Sequence, residues 1–223
     1  MTAAGVQTSP AGATPARAAA GSGAIWLRLP WLYLVSRRVP AALALLAGLG
    51  ALLWCALHWH WNVAGGPAVK ALIPLVIETG AAGVIAVTTY GPFGESERAT
   101  GRWLPWLRLA ATLALTAAAF GLLAAGATAG ALPGGTLALL RDLAGMTGTG
   151  LLTAAAAGGA FGWVGPMAYW LITEGALAHR STTPWIWPAR PPHDRGAMIC
   201  AALVFAAGII VTAARGPKEG GGG

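Results

Sequence analysis

The chain has 223 residues and a net charge of +7, yet only 9% of its residues are charged, against about 25% in soluble domains. Mean hydropathy is +0.64. These values argue against a soluble enzyme. They also argue against a nucleic-acid binder, because the bases stand singly at the ends of apolar runs rather than together in a patch.

Stretches free of Asp, Glu, Lys and Arg cover residues 39–69, 109–140, 143–173 and 196–214. A membrane-crossing helix needs roughly 20 mostly apolar residues. The pattern therefore predicts an all-α polytopic membrane protein with about six transmembrane helices and an N-terminal interfacial helix. Residues 1–23, rich in Ala, Gly, Pro and Ser, lack the apolar core of a signal peptide and read as a disordered cytoplasmic tail. In "AIWLRLPWLYLVSRR", Trp26, Leu27, Trp31, Leu34 and Val35 can share one helical face, with Arg28, Arg37 and Arg38 at its edges. This predicts an amphipathic helix over 24–38 lying in the interface. A basic, aromatic flank to the first span is the simpler alternative.

The spans are predicted at about 40–59, 69–90, 105–126, 136–161, 163–178 and 196–214. "LPGG" marks a turn before the fourth, and the fourth and fifth are divided at "GWVGP". There Pro166 removes a donor, and Gly162 and Gly165 loosen the backbone. Residues 216–223 form a flexible tail. With the N-terminus inside, nine bases fall on the cytoplasmic side and five outside, which predicts a cell-membrane protein with both termini cytoplasmic.

Three places could carry chemistry. Between the second and third spans, "GPFGESERATGRWLP" gathers Phe93, Glu95, Glu97, Arg98 and Arg102. A short helix there would put Arg98 and Arg102 one turn apart on one face, a charged knob suited to docking a soluble partner. An ordinary solvated loop fits the same residues. Glu78 lies inside the second span, eight residues from Lys70, or about 12 Å along the axis, too far to pair along the helix. It is either a polar or protonatable group of a pathway, or a carboxylate that fixes packing by hydrogen bonds. Arg141 and Asp142 open the fourth span. As neighbours in a helix they are expected not to pair with each other but to anchor the helix near the outer interface.

Glu174 and His179 read as interface residues closing the fifth span. His58 and His60 belong to the aromatic belt "HWHWN", and no Cys/His cluster with metal-ligand spacing appears. No Walker A loop, dinucleotide fingerprint or nucleophile elbow appears either, so no catalytic residue and no metal is assigned. In "GMTGTGLLTAAAAGGAFG", Gly148, Gly150, Gly158, Gly159 and Gly162 would let helices approach closely. "HRSTTPWIWPARPPHD" is expected outside, as a lid or amphipathic re-entrant piece.

Taken together, the interfacial segment, six spans, charged segment after the second span and amphipathic piece before the sixth resemble the membrane subunit of a type-2 ATP-binding-cassette exporter. The resemblance is one of layout, over roughly residues 24–215. The stretches "GPFGESER" and "TPWIWPARPPHDRG" are also similar to a group of actinobacterial six-span membrane proteins, which carries no activity with it. The exporter resemblance implies a coupling helix at Phe93 to Arg102 that docks on an ATP-hydrolysing partner, ATP and Mg being held by that partner alone. It implies a connecting helix at Ile25 to Arg38, and a second copy or homologous membrane subunit, since such exporters use twelve spans. A lipophilic or peptide substrate follows from the same layout. Two other functions fit the residues: a non-transporting scaffold, from the Gly/Ala-rich fourth span, and an ion-coupled carrier, from Glu78.

Overall fold

The computed structural model describes residues 38–58, 66–88, 104–132, 134–179 and 183–215. They form six α-helices: α1 Val39–His58, α2 Gly66–Thr88, α3 Leu104–Ala127, α4 Gly135–Ala157, α5 Val164–Ala178 and α6 Arg195–Arg215. Short 3-10 turns lie at Gly159–Phe161 and Trp187–Ala189, and no strand occurs among the described residues. The protein is all-α, as its composition predicts.

Among the described residues three helices are long and apolar enough to cross a membrane: α1, the Arg108–Ala127 part of α3 and the Arg195–Ala214 part of α6. The Leu72–Thr88 part of α2 is apolar but shorter. The physical reasons the other two differ are plain. Helix α4 interrupts its apolar run with Arg141 and Asp142. Helix α5 has 15 residues, which reach only about 22 Å against a hydrocarbon core of about 30 Å. The interfacial helix expected over 24–38 lies outside the described residues apart from Arg38. So do the terminal tails and the docking residues Phe93, Glu95, Glu97, Arg98 and Arg102.

Glycine decides how closely the helices meet. A β-carbon at Gly50 of α1 would stand 2.8 Å from the Leu122 carbonyl oxygen of α3, and Gly126 of α3 is pressed on the Gly50 backbone in return. Gly148 of α4 and Gly208 of α6 meet likewise, a β-carbon at Gly208 falling 2.7 Å from the Gly148 carbonyl oxygen. Gly150 and Gly162 both close on Ala86 of α2. Such contacts bring backbones together and draw dispersion energy from the approach, which is how helices associate where lipid removes the hydrophobic drive. The hydroxyls of Thr79, Thr112, Thr116, Thr153 and Thr173 each donate to the carbonyl four residues back, so these polar side chains need no outside partner.

The fourth and fifth helices divide earlier than "GWVGP". Gly158 adopts φ 105°, a conformation open to glycine, and ends α4 by donating its N–H to the Ala154 carbonyl. Trp163 and Gly162 follow the 3-10 turn, and Pro166 falls in the first turn of α5, where its missing N–H breaks no helical bond. Gly134 and Gly135 of "LPGG" both take positive φ, as that turn requires.

Two adjoining cores result. Aliphatic side chains of α1, α2, α3 and α4, among them Leu46, Ile85, Leu123 and Leu143, fill the first. The second lies among α2, α4, α5, α6 and the Trp187 turn, and holds the polar groups described next.

Candidate functional site

Glu78 stands near the middle of α2, about 15 Å from its Thr88 end at 1.5 Å per residue. Leu75 and Ala82, one turn to either side, share its face and pack in the second core with Met146 of α4, Tyr169 of α5 and Trp187. Glu78 is 4% exposed, and its Oε2 has no hydrogen-bond partner among the described residues. Thr79 beside it donates to the Leu75 carbonyl at 2.7 Å and lies 4.0 Å from the Met146 sulfur.

Arg141 and Asp142 lie inside the bundle, 4% and 8% exposed. They do pair: Arg141 Nε is 2.9 Å from Asp142 Oδ1. Consecutive helical positions diverge by about 100°, which argues against contact between short side chains. An arginine is long enough to curl back across that angle, and both residues turn into the same dry wedge, where an unpaired charge is costly. The guanidinium then spans a second gap. Its NH1 donates to the Pro191 carbonyl at 2.9 Å and to the Arg190 carbonyl at 3.3 Å, and its NH2 also reaches the Arg190 carbonyl at 3.3 Å. Asp142 and Arg141 are also the charged groups within electrostatic reach of Glu78. The three residues thus form one buried group, which the sequence offered as separate features.

The loop before α6 turns inward. Ile186 and Trp187 are each 2% exposed, whereas Trp185 next to them is 48% exposed. The Trp187 ring stacks on Tyr169 with centroids 4.3 Å apart and planes 17° from parallel. Tyr169 Oη donates to the Trp185 carbonyl at 2.7 Å. Gly145 of α4 makes room for the ring, since a β-carbon there would lie 2.8 Å from Trp187 Nε1. Arg141 holds the loop by its backbone while Trp187 fills the space beneath it.

The end of the loop is fixed by Asp194. Its Oδ1 accepts the Ala197 N–H at 3.0 Å, capping α6, and its Oδ2 accepts Arg190 Nε at 2.8 Å. The cap first, and the guanidinium second, hold the Asp194 carboxyl below the usual carboxylate range. A depressed folded-state pKa gives stability that is present above the unfolded value and is lost as pH falls through the folded one. Asp194→Asn is therefore expected to lower the melting temperature at pH 7, and the gap to the parent chain should close below about pH 4. Melting curves of both chains across that range check it.

Other expected residues fall elsewhere. Glu174 is half-buried, with Oε1 enclosed and without a hydrogen-bond partner among the described residues, so it is not a simple surface residue. His179 is exposed and its Nδ1 lies 2.7 Å from the Gly175 carbonyl. His58 stacks on Trp54 at 4.6 Å, an aromatic pair at the end of α1. Among the described residues no three His, Cys, Asp or Glu side chains gather as a metal-holding group.

Tyr169, Trp187 and Gly145 were not singled out from sequence. The one available sign was "WIW": two tryptophans about a β-branched residue inside an otherwise polar, Pro-rich loop. No family model, curated protein or solved structure matches the chain.

Proposed function

We propose that the chain is a six-span membrane protein with cytoplasmic termini that serves as the transmembrane subunit of an ATP-driven exporter. The observation that supports a transport role is the buried Glu78–Arg141–Asp142 group beneath the Trp187 loop. Ionisable residues at membrane depth cost about 2.5–3.5 kcal/mol each on insertion scales, and they pair inside the bundle and mark pathways or relays. The exporter assignment rests on the layout of the chain. Phe93, Glu95, Glu97, Arg98 and Arg102 dock the partner that binds ATP and Mg and hydrolyses the nucleotide. The exposed apolar residues Ile199, Leu203 and Ile210 along α6 suit lipid or a second membrane subunit. The substrate is lipophilic or peptidic.

The test is purification of the chain from its native membrane in mild detergent. A stoichiometric ATP-binding protein is expected, and it should be lost when Arg98 and Arg102 are both changed to Glu. A second reading, a non-transporting scaffold for another membrane protein, draws on the close glycine contact of α4 with α6. Recovery of a different membrane protein with no ATPase would replace the exporter with the scaffold.

A further inference from the structure

We propose that Glu78 is a proton-binding site in the centre of the bundle, holding its proton as a neutral acid on the face of α2 that enters the second core. Three observations carry this. First, the charges do not balance: among the described residues, the charged side chains buried in the bundle are one guanidinium, Arg141, and two carboxylates, Glu78 and Asp142, so the interior carries a formal charge of −1 when both are ionised, and one bound proton returns it to neutrality. Second, Arg141 is already committed. Its donors go to Asp142 and to the Arg190 and Pro191 carbonyls, and no ion pair reaches Glu78 among the described residues. Third, Glu78 Oε2 is buried without a hydrogen-bond partner among the described residues, in a cluster where the Trp187 indole N–H is likewise unpartnered. An ionised carboxylate there would be an uncompensated charge in apolar surroundings.

The ligand is a proton rather than a metal cation because of the donor set. Hard cations take six or more oxygen ligands, whereas the face around Glu78 presents Leu75, Ala82, Met146, Tyr169 and Trp187. The elements packed about it bring few other ionisable groups. Helix α4 brings Arg141 and Asp142, α5 brings Tyr169 and the half-buried Glu174, and α6 brings the half-buried Cys200. Helices α1 and α3 contribute aliphatic side chains to the adjoining core. Proton binding at Glu78 is independent of whether an ATPase docks at Arg98 and Arg102, so failure of either leaves the other standing.

Infrared spectroscopy of the purified chain in lipid tests it. At neutral pH a carbonyl stretch of a protonated carboxylic acid is expected, shifted in D2O, absent from Glu78→Gln and retained in Asp142→Asn and Glu174→Gln. Because Gln mimics the neutral acid, Glu78→Gln should melt within about 3 °C of the parent chain, the shift of roughly 1 kcal/mol in a domain of this size. No such band in the parent chain, or a band that persists in Glu78→Gln, overturns the proposal. Should Glu78→Gln fail to fold, glutamate labelled with carboxyl-13C supplied to the Glu174→Gln chain gives the answer, since Glu174 is the other glutamate with an enclosed, unpartnered oxygen among the described residues. The band must move with that label, and a band that stays in place is not a glutamic acid.

Discussion

Replacing Arg141 with methionine is expected to destabilise the bundle by about 3–5 kcal/mol, because the substitution breaks a buried ion pair from one side. Asp142, 8% exposed, is left without its cation, and the Arg190 and Pro191 carbonyls lose their donors. At roughly 2–4 °C per kcal/mol, the melting temperature should fall by about 10 °C. The double variant Arg141→Met, Asp142→Asn removes the stranded charge and should regain part of that loss, while the loop carbonyls stay unpaired. The two contributions can be separated by labelling. With Cys55 and Cys200 changed to Ala, a cysteine at position 186 should resist maleimide in the parent background, since Ile186 is 2% exposed. It should label readily in both Arg141 variants. Protection that survives Arg141→Met would mean the loop is held by Trp187 alone.

That prediction depends on a group of residues which sequence reasoning located but did not assemble. Glu78 was conspicuous because a carboxylate inside an apolar run is costly, and its burial follows from the same cost. Arg141 and Asp142 stand out differently, as the charges that open the fourth span after the "LPGG" turn. Their mutual contact is not legible in the spacing, because helical periodicity describes where Cβ atoms point, not where a flexible arginine ends. Nothing in the spacing of residue 78 and residues 141–142 announces that α2 and α4 pack side by side, which is a property of the whole bundle. The helical character of the chain was legible throughout, since long apolar runs in lipid have little alternative. The boundary at Gly158 was not. "GWVGP" carries the louder breakers, but a proline in the first turn of a helix is harmless, while one glycine at positive φ ends the preceding helix. The loop alternates Trp, Pro and Arg in sequence, and nothing in that alternation separates the buried Trp187 from the exposed Trp185.

Trp187→Ala is therefore expected to have an effect as large as the loss of Arg141. Removing a fully enclosed indole leaves a cavity bounded by Tyr169, Met146, Leu75 and Gly145, at a cost of about 3–5 kcal/mol. The stack on Tyr169 goes with it, and the Tyr169 hydroxyl loses the rigid loop that places its acceptor, the Trp185 carbonyl. The opposite change, Gly145→Ala, should also destabilise, by about 1–3 kcal/mol, because its methyl enters the space of the indole. The combination distinguishes a seated ring from one merely near the helix. In Trp187→Phe with Gly145→Ala, the smaller ring vacates the volume the methyl needs. The double variant should then be more stable than the sum of the singles by on the order of 1 kcal/mol, measured by thermal melts in one detergent. Additive losses would show that the ring is not seated against Gly145. Because the same ring packs in the core that Leu75 and Ala82 of the Glu78 face enter, Trp187→Ala should also admit water there, and the carboxylic-acid stretch assigned to Glu78 should exchange with D2O faster than in the parent chain. Exchange at the parent rate would mean that Glu78 is sealed by α4 and α5 rather than by the loop.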